Sequence, residues 1–136
     1  IIMKTISKLK KELDKWFSLF IRLRDANEYG IVQCFTSGRV YHYKKLHAGH
    51  FMSRRHLATR WCEINVQPQS AADNLFGQGE QYKFGLNLDA KFGEGTSEEL
   101  QYKARQTVKL SRIDYEEKIS YYKECVDKLK KEKGIE

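Results

Sequence analysis

The chain has 136 residues, with 25 Lys and Arg against 18 Asp and Glu, and a net charge of +7. This length suits one domain with a modest core and is too short for two. The basic balance favours a polyanion such as DNA as partner. The 3 cysteines form no short-spaced pair, which argues against a disulfide framework and fits a reducing compartment. No apolar run is long enough to span a bilayer, so we expect no membrane insertion.

The first half of the chain predicts a helix, a hairpin, a loop and a second, short helix. Apolar residues recur at steps of three and four over residues 4–27, which is typical of an amphipathic helix. Residues 31–34 and 39–44 are rich in β-branched and aromatic side chains and predict the two arms of a β-hairpin. Residues 51–68 predict an irregular basic loop closed by Pro68, and residues 70–76 a short helix.

The second half predicts helices only. Residues 81–92 form one that Gly93 ends, and Thr96 is the expected N-cap of another, to about residue 106. A last helix starts at Ser111 and runs to about residue 130, with a fraying, solvated tail over residues 128–133. The sequence therefore predicts an α+β fold with long helices at both ends.

A spaced series of polar residues is the most informative pattern of the chain. His50 is followed by Asn65, 15 residues later, and by Asn74 after another 9. Histidine takes up a proton near neutral pH, asparagine ties loops together, and an oxygen-bearing side chain on a short helix suits a hard divalent cation. This is the kind of pattern that builds a one-metal nuclease site.

Longer stretches around this series carry a family resemblance. They are Phe20-Ile21-Arg22-Leu23-Arg24-Asp25-Ala26, Cys34-Phe35-Thr36-Ser37-Gly38-Arg39-Val40, Ala48-Gly49-His50-Phe51, Arg55-His56-Leu57-Ala58-Thr59-Arg60 and Asn65-Val66-Gln67-Pro68-Gln69. Over residues 4–125 the chain resembles the lambda NinG (Rap) recombination nucleases, a phage branch of the HNH endonucleases. The resemblance implies a single domain over residues 1–136 with a ββα-metal core at about 31–77. It also implies a homodimer acting on branched DNA, encoded by a phage or prophage and located in the bacterial cytoplasm.

The resemblance also implies roles for individual residues. His50 would be the general base and Asn65 would hold the loop, while Asn74 would bind Mg²⁺ or Mn²⁺ or cap the short helix. Many HNH enzymes have a metal-binding aspartate where this chain has Gly49. Another ligand is therefore expected from Asp73 or Glu80, although Asp73 could equally serve as a helix cap.

The chain departs from the family at the structural zinc. Family members carry two Cys-x-x-Cys pairs, whereas the corresponding positions here are Cys34, Ser37, Ser70 and Asp73. Zn²⁺ prefers thiolate and imidazole ligands, so we expect structural zinc to be absent or very weakly bound. This loss leaves open a second function, a catalytically inactive DNA-binding or interaction protein that retains the fold.

A basic cluster beside the histidine predicts a phosphate clamp or, alternatively, a merely solvated basic loop. Arginine forks match phosphate oxygens and position a nucleic-acid backbone without reading its sequence. The expected DNA-binding residues are Lys44, Lys45, Arg54, Arg55 and Arg60. The other histidines, His42, His47 and His56, are expected in surface or hydrogen-bonding roles. The apolar faces of residues 4–27 and 111–130 predict either a dimer seam or the core of the monomer.

Overall fold

The computed structural model describes residues 3–136 and has a mixed α+β architecture. The helices are α1 (Ile6–Arg24), α2 (Leu57–Arg60), α3 (Gln81–Phe92), α4 (Thr96–Ala104) and α5 (Arg112–Lys133). The strands are β1 (Ile31–Gln33), β2 (Val40–His42), β3 (Leu46–His50) and β4 (Val66–Ser70). A 3₁₀ turn covers Tyr43–Lys45 and a π-helical turn covers Ala72–Phe76. The predicted α+β class is confirmed, and no helix within residues 3–136 is long and apolar enough to cross a membrane.

Helix α1 forms where the apolar periodicity predicts it. The Thr5 hydroxyl accepts a hydrogen bond from the Lys8 amide and caps its start. The helix ends at Arg24, three residues earlier than expected, and just beyond it the Asn27 side chain accepts from the amides of Tyr29 and Ile31. Such an asparagine turn competes with helical hydrogen bonding, and it leads the chain into β1.

Helices α1 and α5 pack against each other and contribute a large part of the core. Their buried residues are Leu9, Leu13, Phe17, Ile21, Leu23, Tyr115, Ile119, Tyr122 and Val126. These faces therefore lie in the monomer's own core, which was one of the two expected uses. A capping box of Ser111 and Asp114 starts α5. The expected fraying of its tail is wrong, because α5 remains helical to Lys133 and the Lys133 ammonium donates to the carbonyls of Arg24 and Ala26.

The strands form two separate antiparallel pairs. Strand β1 pairs with β2, as the predicted hairpin requires, although the second arm is shorter because Tyr43–Lys45 turns away as a 3₁₀ turn. Strand β3 pairs with β4, placing Ala48 opposite Pro68 and His50 opposite Val66. The predicted loop over residues 51–68 is thus wrong at its end, because Pro68 lies in the middle of β4. The short helix expected over residues 70–76 is the π-helical turn.

Helices α3 and α4 add a small second cluster. Phe84, Leu88 and Leu100 are its buried members, and the side chain of Phe51, just after β3, packs against them. The helices begin and end close to the predicted bounds. Thr96, however, is the first residue of α4 and not its cap: its hydroxyl donates to the Gly93 carbonyl.

Candidate active site

A cavity of about 630 Å³ lies along β3 and contains His50. Helix α1, the loop after β3, the π-helical turn and the segment before α3 supply its other walls. We call it the His50 cavity. Its lining residues are Asp14, Phe17, Ser18, Arg22, Leu46, His47, Ala48, His50, Ser53, Arg54, Asn74, Gln78, Gly79 and Gln81.

His50 is held in a defined orientation at the end of β3. Its Nε2 lies 2.9 Å from the Arg60 carbonyl oxygen, which can only accept a hydrogen bond. Nε2 therefore carries the proton, and Nδ1 is the proton acceptor of the neutral ring. Burial lowers the pKa of His50 below its usual value, against the raising effects of the Arg60 and Ala48 carbonyls and the Asp14 carboxylate, while the Arg54 charge also lowers it. A lowered pKa favours the neutral imidazole, which is the form that can act as a base.

The Arg60 carbonyl is itself fixed by Asp14 of α1. The Asp14 carboxylate accepts from Arg60 Nη2 at 2.6 Å and from Arg60 Nε at 3.2 Å. It also accepts from the Trp61 indole at 2.9 Å, and the Arg60 guanidinium lies 4.9 Å from the centre of that ring. The side chains of Arg60 and Trp61 are thus both bonded to Asp14, and they hold in place the backbone carbonyl that orients His50. The sequence offered no signal for Asp14, which lies 36 positions before the histidine it supports.

Asn65 ties together the loop between β3 and β4. It is fully buried, its oxygen accepts from the Met52 amide at 2.8 Å, and its nitrogen donates to the carbonyls of Met52 and Thr59 at 3.0 Å each. All three bonds join backbone segments on either side of the basic loop. This geometry suits the loop-holding role expected of Asn65, which stays a prediction for activity.

Asn74 lies in the His50 cavity, paired with a histidine that the sequence interpretation left aside. Its side-chain amide is 3.0 Å from His47 Nδ1. His47 stands on the same strand as His50, three residues earlier, and lines the same cavity. The pair of histidines on one short strand was the available signal for His47.

The other two proposed metal ligands do not line the His50 cavity. The Asp73 carboxylate accepts from the Thr36 hydroxyl at 2.6 Å. Glu80 is the residue before α3 and adopts the left-handed conformation, with φ of 47°. The structure therefore brings Asn74 to His50 and directs the Asp73 carboxylate elsewhere.

Gly49 has no room for a side chain. A Cβ there would lie 2.1 Å from Gln69 Oε1. Gln69 is fully buried, and its amide nitrogen donates to Thr36 and to the Gly79 carbonyl, so it is firmly held. Position 49 consequently cannot supply a metal ligand.

The segment between the π-helical turn and α3 is strained. Gln78 and Glu80 are the non-glycine residues with positive φ within residues 3–136, at 54° and 47°. Such conformations cost about 1–3 kcal/mol each and concentrate at functional sites, as do π-helical turns. Gln78 lines the His50 cavity, so the strain lies at the candidate site.

The predicted phosphate-binding residues differ in how exposed their side chains are and in whether they already form ion pairs. Lys44, Lys45, Arg54 and Arg55 are exposed, and Arg54 lines the His50 cavity, where its Nη1 lies 3.5 Å from the Asp14 carboxylate. The Arg60 side chain is only 16% exposed and is paired with Asp14, so its guanidinium is already engaged. Arg22 of α1 also lines the cavity, with its guanidinium on the Tyr43 carbonyl at 3.0 Å. It is a further cationic candidate that the sequence interpretation missed.

The four degenerate zinc positions come together where the residues after β1, the end of β4 and the π-helical turn meet. Cys34 Sγ accepts from the amides of Ser37 at 3.4 Å and Ser70 at 3.2 Å. The Ser70 hydroxyl accepts from the Asp73 amide at 3.2 Å. With Thr36, which donates to Asp73, these residues form what we call the Cys34 cluster. Burial raises the pKa of the Cys34 thiol, but its hydrogen bonds with Ser37, Ser70 and Thr36 outweigh this effect and bring the pKa to about 7.

Hydrogen bonds thus join the chain segments at the positions that would hold a metal. Within residues 3–136, no group of three or more His, Cys, Asp and Glu side chains is arranged to hold a metal ion. The absence of structural zinc from the purified protein stays a prediction, which elemental analysis would check.

A comparison with protein-family models gives a match over residues 1–132 to the family described as Bacteriophage Lambda NinG protein. Neither the search of curated proteins nor the search of solved structures returned a match.

Proposed function

This chain belongs to the NinG family, and from that membership together with the His50 cavity we propose that it is a divalent-metal-dependent DNA endonuclease. The membership suggests a recombination-related function in a phage. The observation that carries the enzymatic part is the orientation of His50, with Nε2 on the Arg60 carbonyl and Nδ1 left as base. The order of β3, β4 and the π-helical turn supports an HNH-type ββα arrangement around it.

The chemistry we propose is hydrolysis of a phosphodiester. His50 Nδ1 takes a proton from water, the water oxygen bonds to phosphorus in line, and the bond to the 3′ oxygen breaks. Arg54, with a side chain 64% exposed at the cavity, holds the scissile phosphate, and Arg22 adds positive charge in the wall. Lys44, Lys45 and Arg55 contact phosphates further along the strand.

The cavity fits a divalent cation, because the Asn74 amide, whose nitrogen now faces the His47 imidazole, can turn to present its oxygen, and open space remains for water and phosphate oxygens. A bound Mg²⁺ or Mn²⁺ would supply Lewis-acid stabilisation of the charge on the phosphate and the leaving oxygen. Asp73 and Glu80 are outside the cavity lining. We therefore keep Asn74 as the ligand among the three residues expected from the sequence.

A branched or partly single-stranded substrate is supported by two exposed aromatic rings that neighbour cavity-lining residues in the sequence. Phe76 is 86% exposed and Tyr82 is 81% exposed, and both are close in sequence to lining residues. Such rings stack on unpaired bases without sequence preference. We propose branched recombination intermediates as substrate, cut by a homodimer in the cytoplasm of the phage's bacterial host.

The test is cleavage of labelled DNA by the purified protein. A four-way junction, a matched linear duplex and supercoiled plasmid are incubated with Mg²⁺, Mn²⁺ or EDTA. We expect metal-dependent cleavage that favours the junction and is lost in His50→Ala, whereas His56→Ala, outside the cavity lining, retains it. Sedimentation of the protein on the junction would show whether two copies bind.

The second candidate is a catalytically inactive DNA-binding protein. It is favoured by one observation: Asp14, the acidic residue that lines the cavity, already accepts hydrogen bonds from Arg60 and Trp61. Tight junction binding without cleavage under any metal condition would establish this function instead.

A further inference from the structure

We propose that His47 and Asn74 together form the divalent-metal site of the His50 cavity and that this site selects Mn²⁺ over Mg²⁺. The inference rests on the proposed function, since it names the ligands for the same site. It gives a role to His47, which stands on β3 beside the candidate base.

The two side chains are at a distance that suits a shared cation. His47 Nδ1 and the Asn74 amide nitrogen are 3.0 Å apart. Neighbouring ligands of an octahedral ion with bonds of about 2.1 Å are separated by roughly 3 Å. Rotating the Asn74 side-chain amide by half a turn places its oxygen where its nitrogen now lies. The lone pairs of that oxygen and of His47 Nδ1 would then face each other, and a cation bound between them would stabilise this arrangement.

Both side chains are available for this role. Within residues 3–136, the side chains of His47 and Asn74 each make a single hydrogen bond, which is the one that joins them. Both are only partly buried and face the same cavity. A cation would therefore displace a single hydrogen bond and would remain open to water and to a DNA phosphate.

The surrounding residues leave no better ligand. Gly49 is closed off by Gln69, the Asp14 carboxylate is used by Arg60 and Trp61, and the Asp73 carboxylate is used by Thr36. The site consequently has an imidazole and an amide but no carboxylate. It should bind the ion weakly by itself and more tightly when a phosphate oxygen completes the shell.

The imidazole determines the metal preference. Mg²⁺ is bound through oxygen ligands and keeps several waters, whereas a site with nitrogen and oxygen ligands binds the series of first-row transition metals of which Mn²⁺ is the weakest-binding member. Among the two cations expected for this protein, a site with one imidazole ligand favours Mn²⁺. A site built from Asn74 and carboxylates would have oxygen ligands only and would not favour Mn²⁺ over Mg²⁺.

The experiment titrates Mn²⁺ into the protein without DNA and follows free hexaaquo Mn²⁺ by electron paramagnetic resonance. We expect His47→Ala and Asn74→Ala to weaken Mn²⁺ binding about tenfold or more. Asn74→Asp should tighten it, because a carboxylate replaces a neutral oxygen, and adding His47→Ala should remove most of that gain. Excess Mg²⁺ should displace Mn²⁺ poorly.

Two variants serve as controls. His56→Ala removes an imidazole outside the cavity lining and should bind Mn²⁺ like the parent. His50→Ala should also retain binding while losing cleavage, which separates this inference from the proposed function. If His47→Ala binds Mn²⁺ as the parent does, or if Asn74→Asp brings no gain, the inference is wrong even where cleavage is observed. Mn²⁺ binding through His47 without any cleavage would uphold the site and overturn the endonuclease.

Discussion

The Cys34 cluster and the His50 cavity are two polar regions that differ in how far their side chains are buried and engaged. In the Cys34 cluster, buried Thr36 and Ser70 join Cys34, Ser37 and Asp73 in a chain of hydrogen bonds. In the His50 cavity, the titratable groups are only partly buried, Arg54 is exposed, and the adjoining segment is strained. Satisfied, buried networks stabilise a fold, whereas strained backbone concentrates at functional sites. We therefore expect changes in the first cluster to alter stability and changes in the second to alter activity.

The largest expected effect is that of His50→Ala on cleavage. Loss of a general base typically costs about 10²- to 10⁴-fold in rate, and DNA binding should remain close to that of the parent. Asn65→Ala is the contrasting variant, because its three backbone bonds should make it lose activity and melting temperature together. Single-turnover rates and thermal melting of both variants check this. An unchanged rate in His50→Ala would contradict the assignment of the base.

The next effect is that of Asp14→Asn, which tests positioning at a distance. Weaker bonds to Arg60 and Trp61 should displace the carbonyl that orients His50 and lower the cleavage rate by roughly 10- to 100-fold. The Asp14 charge raises the pKa of His50. Its removal should lower that pKa further, so the acidic limb of the pH–rate profile should move to lower pH.

Glu12→Gln is the matched control for Asp14, because it removes a carboxylate of the same helix that pairs with exposed Lys4. It should leave both the rate and the pH profile unchanged. A rate loss in Asp14→Asn with no movement of the acidic limb would indicate a purely structural role for Asp14.

The third effect belongs to the Cys34 cluster and concerns stability. Cys34→Ala leaves buried backbone amides without their acceptor, which should lower the free energy of unfolding by about 1–3 kcal/mol. It should not change the cleavage rate of the folded protein. The pKa of the thiol falls from 9.0 to about 7 on folding. The thiolate therefore contributes stability that is complete above pH 9 and is lost as the pH falls through about 7.

Thermal melting between pH 6 and pH 9 checks this dependence. The stability difference between the parent and Cys34→Ala should widen as the pH rises. Cys125→Ala, which removes a partly buried thiol on α5, is the matched control for the loss of a thiol outside the cluster. An equal difference at every pH would mean that Cys34 is bound as a neutral thiol.

The smallest effect is that of the exposed arginines on DNA binding. Arg54→Ala with Arg55→Ala should reduce the slope of log affinity against log salt by about one to two. Lys128→Ala with Lys131→Ala removes the same charge from α5 and should leave the slope unchanged. If the two pairs behave alike, the DNA surface lies elsewhere.

The helices could be predicted from the sequence because their signals are local. Apolar periodicity, the Ser111 capping box and the glycines after α3 lie within a few residues of the elements they define. Strand β4 was missed because it contains Pro68 and two glutamines, a composition that is typical of loops. Those glutamines are buried by tertiary packing, which no local pattern reports. The π-helical turn likewise depends on contacts beyond its own residues.

The candidate site was predicted in part for a similar reason. His50 and Asn74 follow from spacing and resemblance, and the structure places them in one cavity. Asp14 and Arg22 reach that cavity from α1, and only the packing of α1 against β3 brings them there. Asp73 was proposed as a ligand from its neighbour Asn74, but its carboxylate is bonded to Thr36.

The most direct test of the account is the pH dependence of single-turnover cleavage of a four-way junction in Mn²⁺ by the parent protein and His50→Ala. His50 must be neutral to accept a proton, and its pKa lies below the usual 6.5. We predict that the parent loses activity on acidification with a midpoint below pH 6.5, and that the residual cleavage by His50→Ala lacks this limb. A limb that is unchanged in His50→Ala, or no cleavage by the parent at any pH, would contradict the account.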